Sequence, residues 1–134
     1  MVTRGRWRPA GLVLAVCAAG VLSGCASAQE PEVEKVATAF ENPSGDPQAR
    51  CGLLAPATLQ VFEQDASAPC AQAITQVQLP GGQLQSVQVW GGDAQVKLAD
   101  DTLFLTETDS GWKVTAAACE SRGQAPYDCD VEGP

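Results

Sequence analysis

Residues 84–118 read LQSVQVWGGDAQVKLADDTLFLTETDSGWKVTAAA, and their periodicity decides the fold. Apolar side chains recur at every second position: Val87 and Val89, then Ala94, Val96 and Leu98, then Leu103 and Leu105, then Trp112, Val114, Ala116 and Ala118. A period of two places alternate residues on one sheet face, the pattern of a half-buried strand. Turn-forming residues divide the runs at Gly91-Gly92-Asp93, Asp100-Asp101 and Asp109-Ser110-Gly111. Short connections of this kind join antiparallel neighbours. The stretch therefore predicts four strands in a meander.

Upstream of Gly82 the period changes to that of helices. Val33, Val36, Ala37 and Phe40 fall at i, i+3, i+4 and i+7, with Pro31 suited to a first turn and Asn42-Pro43 to a stop. Asp46 followed by Pro47 predicts a second helix to about Ala55, and Pro56 a further turn or two carrying Leu59 and Phe62. Cys70, Ala73, Ile74 and Val77 repeat the helical spacing in a third helix, ended by Leu79-Pro80-Gly81-Gly82. Helices first and strands after predict an α+β domain over residues 33–134, about three helices covering one face of a curved four-stranded sheet.

The start of the chain has a different character. Arg4, Arg6 and Arg8 precede the apolar run GLVLAVCAAGVL at 11–22, and Leu22-Ser23-Gly24-Cys25 closes it with small residues. A basic, then apolar, then small-residue order is that of an export signal. The ending Leu-Ser-Gly-Cys resembles the lipobox of bacterial lipoproteins. That resemblance implies diacylglycerol on the Cys25 thiol and removal of residues 1–24, with residues 25–32 as a lipidated tether. Cys17 would leave with the signal. The competing readings are a signal cut near Ala28 and an uncleaved membrane anchor, the latter opposed by the polar residues after Leu22.

Removing residues 1–24 from 134 leaves 110, carrying all sixteen acidic side chains against Lys35, Arg50, Lys97, Lys113 and Arg122, a net charge of −11. Such a balance argues against nucleic acid as a partner, because phosphate binding rests on Lys and Arg. There is no histidine in the chain, which excludes Ser-His and Cys-His nucleophile pairs and the commonest transition-metal ligand.

Four cysteines remain: Cys51, Cys70, Cys119 and Cys129. An even number in an exported domain implies disulfides, with three connectivities open. Closing short loops costs least chain entropy, which favours Cys51 with Cys70 and Cys119 with Cys129. No pair has the short spacer of a zinc site or of a redox Cys-x-x-Cys.

Six segments carry a wider resemblance: Cys51-Gly-Leu-Leu-Ala-Pro56, Pro69-Cys70, the QVKLA strand at 95–99, Thr102-Leu-Phe-Leu105, Gly111-Trp-Lys-Val-Thr-Ala-Ala117 and Pro126-Tyr-Asp-Cys129. With the order of elements, they resemble small NTF2-like (cystatin-like) lipoproteins of high-GC Gram-positive bacteria. The resemblance implies a cone whose concave sheet can enclose a pocket, and no assigned activity. Enzymes of that fold use an acid or histidine buried in the cone, and no position here matches one.

Candidates for a pocket are Phe40, Trp90, Phe104, Trp112 and Tyr127. Each has a plainer reading: Trp90 as a strand-end cover, Trp112 as core, Tyr127 as an aromatic packed on the sheet beside a disulfide. Asp100-Asp101 reads as a solvated turn, since it lacks the spaced oxygens of a calcium loop, and Asp128, Asp130 and Glu132 read as a solvated tail. The resulting expectation is an exported protein held by lipid on Cys25 at the outer face of the cytoplasmic membrane. Its expected role is non-catalytic binding of an envelope protein or a small apolar ligand, with no cofactor and no metal. An isomerase, cyclase or hydrolase acting in the cone is the first alternative, and a structural spacer the second.

Overall fold

The computed structural model describes residues 24–134; the expected signal falls on residues outside these, apart from Gly24. Four helices precede five strands: α1 Gly24–Glu41, α2 Pro47–Cys51, α3 Pro56–Ala66, α4 Cys70–Ala73, then β1 Leu84–Trp90, β2 Asp93–Leu98, β3 Thr102–Thr108, β4 Gly111–Arg122 and β5 Ala125–Glu132. The strands form one antiparallel sheet in the order β1-β2-β3-β4-β5. The α+β class and the meander hold, but among the described residues the sheet has five strands, not four, and there are four helices rather than about three.

The fifth strand comes from the segment expected to be a solvated tail. Arg122 pairs with Ala125 across Gly123-Gln124, and Gly123 has φ of +68°, a conformation glycine adopts without a Cβ clash. Cys119 then lies opposite Cys129 and Ala117 opposite Val131, which is fully buried. Exposed Asp128, Asp130 and Glu132 interleave with these residues, as suits a strand at a sheet edge, where charge discourages pairing with another chain.

Helix boundaries also shift. Asp46 caps α2 by accepting from the Ala49 N–H at 2.8 Å, and Pro47 occupies the first turn. The turn or two expected from Pro56 extends to an 11-residue helix, while the expected third helix shrinks to the four residues of α4. Helix α1 begins at Gly24 and contains Pro31, rather than starting there. Its added residues are rich in Ala, Gln and Glu, good helix formers, and one proline removes a single rung of the ladder.

Val33, Ala37 and Phe40 of α1 meet Val96, Leu103, Leu105 and Val114 of the sheet, with Ile74 and Phe62 completing the core. The space between helices and sheet, where the resemblance allowed a pocket, is occupied by these buried side chains. Residues 53–55 flank the first half of β4: Ala55 donates to the Val114 carbonyl at 2.9 Å, and Val114 to the Leu53 carbonyl at 2.8 Å. The second half of β4 is flanked by β5. This handover leaves a gap beside the start of α3, on the sheet face opposite the core.

Candidate functional site

Alternation along β3 points Leu103 and Leu105 into the core and Thr102, Phe104 and Thr106 to the opposite face. Across the sheet, Gln88 pairs with Gln95, Gln95 with Phe104, and Phe104 with Ala116, forming one row on that outer face. Tyr127 of β5 meets this row. Its ring lies edge-on to Phe104 with centroids 5.1 Å apart, and Gln95 donates to its hydroxyl at 3.4 Å.

Tyr127 reaches Phe104 across β4 because that strand is irregular. The register shifts between Phe104 and Leu105 and again between Glu120 and Arg122, and Ala118 takes φ of +54°. Such bulges bend a strand and increase its twist. The β4–β5 hairpin is further held by the Cys119–Cys129 bond, whose Cα atoms are 4.0 Å apart. The second bond, Cys51–Cys70, ties α2 to α4 with Cα atoms 6.0 Å apart. These are the two short loops favoured by closure entropy.

The product is an open cleft of about 470 Å³, with Phe104, Tyr127, Ala116 and Pro126 on the sheet side and Ala55, Ala57 and Thr58 on the helix side. Its walls are mainly apolar. Thr106, Thr115 and Glu132 supply polar atoms at the margin. The Tyr127 hydroxyl accepts from Gln95 and keeps its own O–H to donate. An apolar wall with a few placed polar groups is the make-up of a binding cleft.

The five expected pocket aromatics do not come together. Phe104 and Tyr127 form the cleft, whereas Phe40 is fully buried in the core and Trp112 packs there too. Trp90, 50% exposed, stands at the β1–β2 turn. The plainer readings of Trp90 and Trp112 describe these positions.

A second constellation was not visible in the sequence. Asp101, expected in a solvated turn, is 5% exposed and accepts the N–H groups of Thr102, Ala118 and Cys119 at 2.7, 3.0 and 2.8 Å. Glu41 at the end of α1 and Arg50 of α2 are also buried. The Arg50 Nε donates to the Phe40 carbonyl at 2.8 Å, and its guanidinium lies 5.8 Å from the Phe40 ring centre. Burial, reinforced by the nearby Asp101 carboxyl, pushes the Glu41 carboxyl up to about 8, while Arg50 and the Gly81 backbone act in the opposite direction. Burial lowers the Arg50 pKa, while the charge of Glu41 raises it.

The chain matches no family model, no curated protein and no solved structure. No helix among the described residues is long and apolar enough to cross a membrane. Two disulfides point to an oxidising, extracytoplasmic setting.

Proposed function

We propose that this chain is an exported lipoprotein of the cell envelope, anchored through Cys25 at the outer face of the cytoplasmic membrane. In this reading it binds a small apolar ligand, or an apolar side chain of an envelope protein, in the Phe104–Tyr127 cleft without catalysing a reaction. The observation carrying the binding role is the contrast between the two sheet faces. One face is sealed by the core, and the other offers an aromatic-walled cleft of about 470 Å³. The NTF2-like assignment belongs to the same proposal, supported by helices packed on one face of an antiparallel meander. The anchor is supported by the Leu-Ser-Gly-Cys ending, and the exported setting by the disulfides.

Two experiments test the parts separately. Mass spectrometry of membrane-extracted protein is expected to find a lipidated peptide beginning at Cys25; equal anchoring of a Cys25→Ala chain would reject the lipid reading. Titration of isotope-labelled protein with indole, as an apolar aromatic probe, is expected to shift amides around 55–58, 104–106, 115–116 and 126–133. Shifts spread evenly over the surface, or none at saturation, reject the cleft. An acid–base enzyme is a second reading, drawn from the desolvated Glu41 carboxyl beside Asp101. Loss of a substrate's turnover in Glu41→Gln, which preserves side-chain volume, would favour it.

A further inference from the structure

The row on the outer sheet face does not stop at Ala116. Gln95 pairs with Phe104, Phe104 with Ala116, and Ala116 with Glu132 of β5. Residues opposed in an antiparallel pair point to the same face. Glu132 therefore shares the face of the Phe104 ring, with the small side chain of Ala116 between them. Both residues line the cleft, and Glu132 is the one charged side chain among the described residues that do so.

Basic side chains of the neighbouring strands are engaged elsewhere. Lys113, opposite Thr106, gives its Nζ to the Gly52 carbonyl at 2.6 Å. Arg122 is paired with Asp128. The two rings add a second attraction for positive charge. Their planes stand 72° apart, two walls of a corner, and the Gln95 amide holds Tyr127 by its hydroxyl. The face of an aromatic ring is electron-rich and attracts a cation placed within about 6 Å of its centre. The start of α3 opposes this, bringing about half a positive charge to the helix wall. It directs a bound cation to the sheet side and leaves Ala55 and Ala57 to cover an apolar body.

We propose that the ligand of the Phe104–Tyr127 cleft is an organic ammonium ion with apolar substituents, its cationic centre held between the two rings and the Glu132 carboxylate. The inference rests on the binding role proposed above and names the ligand class that the same cleft selects. An alkylated ammonium suits both parts of the site. Its carbon substituents bury against Ala116, Pro126 and the rings, and its diffuse charge needs no close hydrogen-bond partner. Glu132, being exposed, supplies an attraction that salt weakens, whereas the rings act at short range and keep their share. A cleft of about 470 Å³ is of the size that takes a small molecule.

Chemical-shift titration of the isotope-labelled full chain with choline and with 3,3-dimethylbutan-1-ol, its uncharged carbon isostere, tests the class. At the amides of 104–106, 115–116 and 126–133, choline is expected to bind about fivefold more tightly than the isostere, a preference that shrinks as salt is raised. Glu132→Gln, at an exposed position, is expected to weaken choline about threefold and to leave the isostere unchanged. Isostere binding as tight as that of choline overturns the cation and leaves the apolar cleft standing. An equal loss for both ligands in Glu132→Gln overturns it too. If neither ligand shifts these amides at saturation, the binding role falls with it. The same cation occurs in free solutes and in lipid headgroups: displacement of choline by phosphatidylcholine vesicles assigns the site to the headgroup, and undiminished choline binding assigns it to the solute.

Discussion

Phe104 and Tyr127 meet edge to face, 5.1 Å between ring centres, although they lie on β3 and β5, which are not neighbours in the sheet. The contact records how far the β4–β5 hairpin bends towards the outer face. An edge-to-face pair contributes about 0.5–1.5 kcal/mol beyond its buried area. Phe104→Ala and Tyr127→Ala are each expected to destabilise the domain by about 1–3 kcal/mol, with a coupling of the stated size in a double-mutant cycle. Denaturant titration of the two single variants and the double variant measures it, and simple additivity would show that the rings do not support each other.

The two disulfides should act as separate staples. Their sequence separations are 19 and 10 residues. Chain entropy assigns each about 3 kcal/mol, the longer loop slightly more. Replacing Cys51 and Cys70 together by serine is expected to free α4 from α2, while the Phe104–Tyr127 contact persists. Replacing Cys119 and Cys129 is expected to loosen β5 and open the cleft. Peptide mapping without reductant checks the pairing; a fragment joining 51 or 70 to 119 or 129 contradicts it.

How much of this was legible from residues follows their chemistry. Four strands announced themselves because Leu103 and Leu105, or Trp112 and Val114, alternate cleanly with polar neighbours. Strand β5 has the same alternation in Tyr127, Cys129 and Val131, but Pro126 and the acids Asp128, Asp130 and Glu132 dilute it into the likeness of a loop. The two-residue turn at Gly123 was the signal that could have revealed it. Glu41, Arg50 and Asp101 look like surface charges in any one-dimensional reading. Their burial arises where the end of α1, α2 and the β2–β3 turn converge, a property of tertiary packing that no local spacing encodes. The five aromatics fell into three places for a related reason: periodicity separates the two faces of a strand, but it does not say which face a helix will cover.

Acidity should favour this fold through Glu41. In the unfolded chain its carboxyl has the ordinary value of 4.5, and in the folded chain burial raises it to about 8. A group whose folded value is higher binds its proton more tightly when folded, so its stabilising effect is complete below 4.5 and declines as pH rises towards 8. The loss across that window is roughly 2–4 kcal/mol after allowance for partial solvent screening. Denaturant midpoints taken from pH 5 to pH 8.5 are expected to fall in the original chain. Glu41→Gln removes the titrating group and should flatten this contribution. A variant that keeps the full slope would place its source at other carboxyls.

Asp101 predicts a loss of a different kind. Asp101→Ala would leave the N–H groups of Thr102, Ala118 and Cys119 without their acceptor in a buried corner of the sheet. Each abandoned donor costs about 1–3 kcal/mol unless water reaches it, so a total loss of at least about 3 kcal/mol is expected. Asp101→Asn retains one carbonyl oxygen and should recover part of it. Thermal unfolding of both variants gives the order, and a harmless Asp101→Ala would contradict the buried-acceptor role.

The segment before β1 should be intolerant of a side chain at one glycine, whereas the β1–β2 turn should be forgiving at another. Gly82 has φ of +101°, and a Cβ there would stand 2.8 Å from the Ala99 Cβ and 3.1 Å from an Asp100 carboxylate oxygen. Gly91, in the β1–β2 turn, also has positive φ at +61°, but an added Cβ meets nothing within 4 Å. Gly91→Ala is therefore expected to cost only the backbone strain of about 1 kcal/mol. Gly82→Ala adds a collision with the β2–β3 turn, and about 2 kcal/mol or more is expected because the Ala99 Cβ moves only with its backbone, which is held by the Ala99–Gln83 bond. Thermal unfolding of the two variants ranks them, and equal losses would contradict the collision at Ala99.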